Sequence, residues 1–221
     1  MSRSERSRSP TRSVGSAREN AATEDCKHDV GQTCYPVRFP SGRVICSDPS
    51  CELQPGLGNL HPWKLNISFD LLPGNWHCRC VHRDTRAAIL GIHHEDHRFI
   101  PSVRSDAAFG VQGFLEPTSI ETLVVDSGRF GFYDAGMFHN EAACKETGYS
   151  SWEHCRESCK IENQARRAID SAAPLGVISP SGFGDGVYEL HAYMEDQKLR
   201  AAIIRFISEG ASEEEGEAHY P

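Results

Sequence analysis

The feature that most constrains this chain is a series of short segments in which apolar and polar residues alternate. Each is rich in β-branched or aromatic residues and is bounded by Pro, Gly, Asp or Asn, a pattern typical of strands separated by turns. Five such segments are GRVICSD (42–48), LNISFDLL (65–72), NWHCRCVHR (75–83), RAAILGIHH (86–94) and IETLVVD (120–126). Near the C-terminus, GVYELHAYM and KLRAAIIRF flank a short polar turn at 195–197, which predicts a hairpin. The alternation predicts a mainly β fold, an antiparallel sandwich or a partly closed barrel.

One segment breaks this pattern and predicts a helix. SSWEHCRESCKIENQARRAID (150–170) contains no Gly or Pro and begins with Ser150 or Ser151 as a candidate N-cap. We expect one or two helices in an insert at about 139–173, between two strands. Cys155 and Cys159 are spaced i and i+4, so we expect them on the buried face of this helix. A redox or metal pair is the alternative for these two thiols.

The two ends of the chain differ in composition from the middle. Residues 1–25 are rich in Ser and Arg, with five Arg against two Glu in the first twenty residues, and residues 209–221 are acidic. Neither end has enough apolar residues to offset the entropy cost of ordering. We therefore expect two disordered tails around a single β-rich domain at 26–208. The Arg/Ser run at 6–13 is also a candidate phosphorylation target.

Hydropathy and cysteine content indicate the compartment. The chain has no apolar run that approaches the roughly 20 residues of a membrane span, and its first residues lack the apolar core of a secretory signal. We expect an intracellular protein, cytoplasmic or nuclear, without membrane contact. The nine cysteines are then expected as thiols, and their odd number argues against a closed disulfide framework. The formal net charge of −8 is unfavourable for tight binding of nucleic acid.

Four aspartates lie where apolar runs end or begin. They are Asp48 in CSDPSC, Asp126 in VVDSG, Asp134 in FYDAG and Asp185 in SGFGDGVYEL. Asp next to Gly or Ser ends strands for structural reasons, because its carboxylate accepts hydrogen bonds from backbone N–H groups two residues on. If the four strand ends met on one rim, the carboxylates would repel one another unless a cation such as Mg²⁺ or Ca²⁺ neutralised them. The turn role is the main interpretation, and a metal site is the alternative.

The segment at 75–97 combines cysteines with histidines. Cys78, Cys80 and His82 would share one face of a strand, which raises a zinc site as a second metal hypothesis. If residues 83–86 form the turn, Cys80 lies opposite Ile89 and Cys78 lies opposite Gly91. The cysteines are then small core residues. A slip of one residue would change these partners, so the zinc alternative stays open.

The order of four motifs resembles a known family. SGRVICSDPSC, LLPGNWHCRC, VVDSGRFGFYDAGMF and VISPSGFGDGVYELHAY follow one another within residues 40–207. Bacterial and phage proteins of the family called domain of unknown function 4241 show a similar series of Asp-Pro, Pro-Gly-x-aromatic, Val-Asp-Ser-Gly and Ser-Gly-aromatic-Gly-Asp-Gly motifs. The resemblance implies a β-rich fold and attaches no activity, substrate or cofactor.

Three functions follow as expectations. The first is a non-catalytic interaction or regulatory module that engages protein partners through its charged tails. The alternative is a metal-assisted hydrolase or metal-binding protein that uses the four aspartates, and the second alternative is weak RNA association through the Arg/Ser tail. No cofactor is expected, other than a divalent cation under the metal alternative.

Overall fold

A computed structural model of the chain describes residues 32–51, 65–83, 85–97, 99–100, 110–111, 116–162 and 173–207. The twelve strands are β1 (Gln32–Val37), β2 (Arg43–Ser47), β3 (Asn66–Asp70), β4 (Trp76–Arg83), β5 (Arg86–His94), β6 (Phe99–Ile100), β7 (Gly110–Val111), β8 (Ser119–Val125), β9 (Arg129–Asp134), β10 (Gly176–Pro180), β11 (Gly186–Glu195) and β12 (Lys198–Arg205). Within the described residues between β9 and β10 lie the short helices α1 (Glu141–Glu146) and α2 (Trp152–Cys159).

The strands form two main antiparallel sheets. The six-stranded sheet has the order β1-β4-β5-β12-β11-β8 and the four-stranded sheet has the order β10-β9-β2-β3, while β6 and β7 form a separate short pair. The prediction of a mainly β, antiparallel fold is confirmed. Of the two arrangements left open by the sequence, the described residues form the one with two sheets, and they form no closed barrel.

Strands β2, β9 and β10 of the four-stranded sheet are buried on both faces, and alternation along β2 explains how. Val44 and Cys46 point into the core shared with the six-stranded sheet, whereas Ile45, between them, belongs to a second apolar cluster on the side of the helices. All three side chains are nearly inaccessible to solvent. A run that is apolar at every position is expected for a strand covered on both sides. The molecule therefore has three layers at this point: sheet, sheet and helices.

The two helices begin at side-chain caps. The Asn140 side chain accepts a hydrogen bond from the Ala143 N–H, and Ser151 Oγ accepts one from the His154 N–H at 3.1 Å. Ser151, rather than Ser150, is therefore the N-cap of α2. Cys155 and Cys159 are buried on the inner face of this helix, as predicted. The prediction of one continuous helix over 150–170 is wrong, because α2 ends at Cys159 and Lys160 is extended. Ile161 and Glu162 are helical again, and residues 163–170 lie outside the described residues.

The predicted register of β4 and β5 is wrong by one residue over most of its length. Arg83 pairs with Arg86 and His82 pairs with Ala87, as expected for a turn at 83–86. A β-bulge between Val81 and His82 then shifts the ladder, so Cys80 lies opposite Leu90 and Cys78 opposite Ile92. One extra residue on one strand of a pair produces this kind of shift. The cysteines still face the core, where both are fully buried.

The structure also bears on the predicted C-terminal hairpin and on the absence of a membrane span, whereas the two predicted tails lie outside the described residues. The predicted hairpin joins β11 to β12 through Asp196 and Gln197, both of which have positive φ, at 50° and 63°. A two-residue loop of this conformation fits the twist of the strands it joins. No described helix has the length and apolarity needed to cross a membrane. The tails at 1–25 and 209–221 lie outside the described residues, and their predicted disorder stays a prediction.

His93 is a buried histidine on the outer face of β5. Its ring stacks on that of His77 with centroids 5.5 Å apart, and its Nδ1 lies 3.2 Å from the backbone oxygen of His94. Burial is the largest cause of a lowered pKa, and the neighbouring charges of His77 and Arg79 add to it, so the pKa of His93 falls from 6.5 to about 4. The folded protein therefore keeps this imidazole neutral under mildly acidic conditions.

We predict that the free energy of unfolding falls as the pH drops from about 6.5 to about 4. In this window the unfolded chain binds a proton at His93 and the folded chain does not, a difference of up to about 3 kcal/mol. Denaturant titrations at several pH values should show a flatter profile for His93→Gln. His154→Gln, which changes an exposed histidine of α2, is the control and should keep the wild-type profile. Equal slopes for His93→Gln and wild type would contradict the assignment.

Candidate anion-binding site

The carboxylate of Asp48 is a buried hydrogen-bond acceptor at the end of β2. Its Oδ1 accepts from Ser50 N–H (2.7 Å), Ser50 Oγ (2.6 Å) and Ser127 Oγ (2.7 Å). Its Oδ2 accepts from the backbone N–H groups of Asp126 (2.7 Å) and Ser127 (2.6 Å). Burial favours the neutral acid, but the hydrogen bonds from Ser50 and Ser127 outweigh it and lower the pKa of Asp48. We call Asp48 with these donors the Asp48 anchor.

Asp134 has a similar role at the opposite end of the same strand pair. It is 1% exposed, and its carboxylate accepts from the backbone N–H groups of Ser41 (2.8 Å) and Gly136 (2.9 Å). In the register of β2 and β9, Val44 lies opposite Asp134, whereas Ser47, next to Asp48, lies opposite Gly131. Asp134 and Asp48 are therefore separated by the length of the paired strands.

The structure divides the four candidate aspartates into two places. Asp126 and Asp185 are exposed and lie near Asp48: the Asp126 N–H belongs to the anchor, and Asp185 Oδ1 is 3.7 Å from where a Cβ on Gly128 would lie. Asp134 is at the other end. Among the described residues, no group of three or more His, Cys, Asp or Glu side chains is arranged to hold a metal ion. The two buried carboxylates have the turn role that was the main interpretation.

The zinc alternative places its ligands in an apolar environment. Cys78 and Cys80 are fully buried in the core, and Cys80 Sγ lies 3.8 Å from His82 Nε2. Burial raises the pKa of Cys80 to about 12 and that of Cys78 further still. Zinc binds the thiolate, so this environment disfavours the ligand form. Hydrogen bonding to Cys159 and, after it, burial likewise raise the pKa of Cys155, in keeping with a core role for the helical pair.

A basic pocket lies beside the Asp48 anchor. It has a volume of about 210 Å³ and is lined by Pro49, Ser127, Arg129, Arg156, Lys160 and Ile178. We call these six residues the basic pocket. Pro49 and Ser127 come from the anchor region, Arg129 begins β9, and Ile178 lies in β10. Three cations, one from β9 and two from the end of α2, thus line one small cavity.

Helix α2 supplies two of these cations from one face. Arg156 and Lys160 are spaced i and i+4, so their side chains lie one turn apart on the same side. Lys160 caps the helix and also forms an isolated bridge with Ile178, which fixes this end of α2 against β10. Basic residues at a helix C-terminus interact favourably with the helix dipole. That interaction is a structural reason for the two cations, independent of any ligand.

The three cations differ in their partners. Arg156 forms an ion pair with Glu153, and Lys160 forms one with Glu157, both within α2. The Nη1 atom of Arg129 is buried and has no hydrogen-bond partner among the described residues. The Nε atom of Arg156 is buried and lacks a partner in the same part of the chain. Buried donors without acceptors are costly, and these two belong to residues that line the same cavity.

The three cations of the pocket lower the pKa of a neighbouring glutamate, Glu157. The pKa of Glu157 is lowered, first by the hydrogen bond from Lys160 and then by the charges of Lys160, Arg156 and Arg129. The Asp48 carboxylate is nearby, but it already accepts five hydrogen bonds from the anchor. Glu153 and Glu157 pair with two of the three lining cations, and Arg129 is the lining cation for which the described residues provide no ion pair.

Tyr133 adds a further buried polar group on the same face of β9. Its side chain is 1% exposed, and its hydroxyl has no hydrogen-bond partner among the described residues. The hydroxyl lies over Gly131, where a Cβ would come within 2.5 Å of it. Arg129, Gly131 and Tyr133 alternate along β9, so all three face the helices. Glycine at 131 is required because any larger residue would collide with the tyrosine.

The residues of the basic pocket are not among those that the sequence singles out. One signal is visible in the sequence, namely the two cations at i and i+4 near the end of a predicted helix. Their meeting with Arg129 depends on how the helical insert packs on β9 and β10, which no local pattern contains.

Comparison of the chain with protein-family profiles, with curated proteins and with solved structures finds no match. The resemblance to domain of unknown function 4241 therefore stays an expectation that rests on the order of its motifs.

We predict that Asp48→Asn lowers the free energy of unfolding by about 3 kcal/mol. The amide keeps the shape, but it loses the charge and turns an NH₂ group toward N–H donors that need an acceptor. Denaturant titration measures the loss. Asp185→Asn is the matched control because that carboxylate is exposed, and it should change stability by no more than about 0.5 kcal/mol. Equal losses in the two variants would contradict the anchor.

The same proteins separate the anchor from the metal alternative. If Asp48 acts only as an acceptor for backbone and hydroxyl donors, Mg²⁺, Ca²⁺ and Mn²⁺ leave the melting temperature of the wild type unchanged. A rise in melting temperature that disappears in Asp126→Asn would support a cation at this rim instead.

Proposed function

We propose that the protein is a non-catalytic interaction or regulatory module whose basic pocket binds an anionic group of its partner or effector. The observation that carries this proposal is the buried Nη1 of Arg129, which lacks an acceptor among the described residues and belongs to a residue that lines a cavity together with two further cations. An anion in the pocket would accept from this atom and from Arg156 Nε. It would also offset the positive charge of Arg129, because Glu153 and Glu157 pair with the other two cations.

The chemistry of the lining favours a phosphate or carboxylate group. The planar guanidinium of Arg129 matches two oxygens of such a group, and Lys160 adds a point charge. Phosphate offers three acceptor oxygens and up to two negative charges, which suits a lining with three cationic side chains. We therefore favour a phosphoryl group.

The size of the pocket restricts the ligand further. Pockets for whole small molecules have volumes of roughly 300–1,000 Å³, whereas this one has about 210 Å³. It therefore suits one charged group at the end of a larger molecule, or a free oxyanion. Recognition of a terminal group fits a module that reads a partner or an effector.

The lining supports binding rather than catalysis. The six residues are Pro, Ser, Arg, Arg, Lys and Ile, so no described lining residue is a His, Cys, Asp or Glu that could act as a general base. Ser127 Oγ donates to Asp48 Oδ1 at 2.7 Å, and this carboxylate is already saturated with donors. A nucleophile needs a base that is able to accept its proton.

The charged tails remain part of the proposal on sequence grounds. Five Arg near the N-terminus and five Glu at 209–217 give opposite charges that protein partners can recognise. The metal and RNA alternatives stay predictions, and no observation on the described residues favours either one.

We predict that inorganic phosphate and pyrophosphate bind to the protein and that Arg129→Gln weakens this binding at least about tenfold. Loss of one charge-assisted hydrogen bond to a buried group corresponds to about 1.5–3 kcal/mol. Isothermal titration calorimetry measures the affinity, and the melting temperature of the wild type should rise with phosphate. Arg43→Gln is the matched control, since Arg43 is an exposed arginine that pairs with Asp70 far from the pocket.

Two results would contradict this proposal. One is the absence of any phosphate or pyrophosphate binding by the folded wild-type protein. The other is equal loss of affinity in the Arg129 and Arg43 variants, which indicates attraction by overall surface charge. Circular dichroism melts of both variants establish that each is folded.

A further inference from the structure

Strand β8 is an edge strand of the six-stranded sheet with an apolar outward face. It pairs with β11 through seven successive residues and ends the order of strands among the described residues. Ile120, Thr122 and Val124 alternate on the face away from the core, and Ile120 is 54% exposed. Val187, opposite Val124 on β11, is 50% exposed. Two of the three large apolar residues that are exposed in the described chain thus lie on this edge.

The other edges of the two main sheets carry features that hinder further pairing. Proline lacks the N–H needed for a ladder, and it occurs at Pro36 in β1 and at Pro180 in β10. On β3, Asp70 forms an ion pair with Arg43 at one end of the strand. All residues of β8 are described, and they include no proline, lysine or bulge. A long and regular edge of this kind is a template for another strand.

We propose that β8 pairs with β8 of a second copy of this chain, antiparallel about a two-fold axis at Thr122. The pairing continues the six-stranded sheet of one protomer into that of its partner. It rests on the edge strand alone and is independent of the basic pocket.

The sequence of β8 is complementary to itself in this register. Ile120 lies opposite the partner's Val124, so the exposed apolar side chains cover each other on the outer face. Glu121, the one charged residue of the strand, lies opposite the partner's Leu123 rather than opposite its own copy. Apolar cross-strand pairs are stabilising, whereas like charges directly opposite each other are destabilising. This register therefore pairs Ile120 with Val124 and keeps the two Glu121 carboxylates apart.

Neighbouring registers of the β8–β8 pair give less favourable cross-strand contacts. An axis at Glu121 places the two Glu121 carboxylates directly opposite each other. An axis at Leu123 places Ile120 opposite the partner's Asp126, so the contact between the exposed Ile120 and the partner's Val124 is lost. A shift by a single residue in the pairing turns the apolar face of one protomer to the wrong side of the sheet. Thr122 is therefore the centre that the pattern selects.

Sedimentation equilibrium of the full chain under reducing conditions tests the proposal. The wild type is expected to show a concentration-dependent dimer, and Ile120→Lys is expected to shift the mass to that of the monomer because a lysine then faces the partner's Val124. Leu65→Lys is the matched control, since it changes another exposed apolar residue, 39% exposed, away from this edge. Its mass should match that of the wild type, and circular dichroism establishes that each variant is folded.

A monomeric wild type at every concentration tested would overturn the proposal, and so would a dimer that persists unchanged in Ile120→Lys. The register has its own test. Thr122→Cys places two thiols across the axis, so mild oxidation should give a covalent dimer that forms faster than in wild type. Val187→Cys, an exposed position on β11 away from the axis, should not. Equal cross-linking of the two variants would overturn the proposed axis.

Discussion

The buried carboxylate of Asp48 stabilises the turn where the chain passes from the six-stranded sheet to the four-stranded sheet. Three of its five hydrogen bonds, from Asp126 and Ser127, join the end of β2, in the four-stranded sheet, to the turn that leads from β8, in the six-stranded sheet, into β9. The other two come from Ser50, just after β2. The same turn carries Ser127, and Arg129 follows directly. A single ionised group thus fixes the strand connection and one wall of the basic pocket.

The other wall depends on a second constraint, the burial of β2, β9 and β10 on both faces. Tyr133 packs against Phe138 and Trp152, with ring centroids 5.0 and 5.4 Å apart, and this cluster seats the helices on β9 and β10. Gly131 leaves the space that the tyrosine hydroxyl occupies. The position of α2 in turn brings Arg156 and Lys160 toward Arg129. The pocket is a consequence of how the layers pack, and not of a contiguous motif.

Much of the fold follows from alternation in the sequence, and the exceptions have physical causes. The segments at 86–94 and 75–83 match β5 and β4 to within one residue because alternation, turn residues and β-branched side chains all agree there. The register between them could not be predicted, because the β-bulge between Val81 and His82 is not marked by a characteristic residue pattern in the sequence. Strand β1 was missed because Pro36 is atypical of strand interiors. Asp48 and Asp134 could be predicted as turn residues, whereas the pocket required the packing of the helical insert.

Binding of an oxyanion by Arg129 beside the Asp48 anchor is the central proposal. A crystal structure of the wild-type protein soaked with tungstate, a phosphate-like oxyanion located by its anomalous scattering, tests this binding most directly. We expect a tungstate within hydrogen-bond distance of Arg129 Nη1, between Arg156 and Lys160. Tungstate bound only at other surface positions, with the pocket empty, would contradict it.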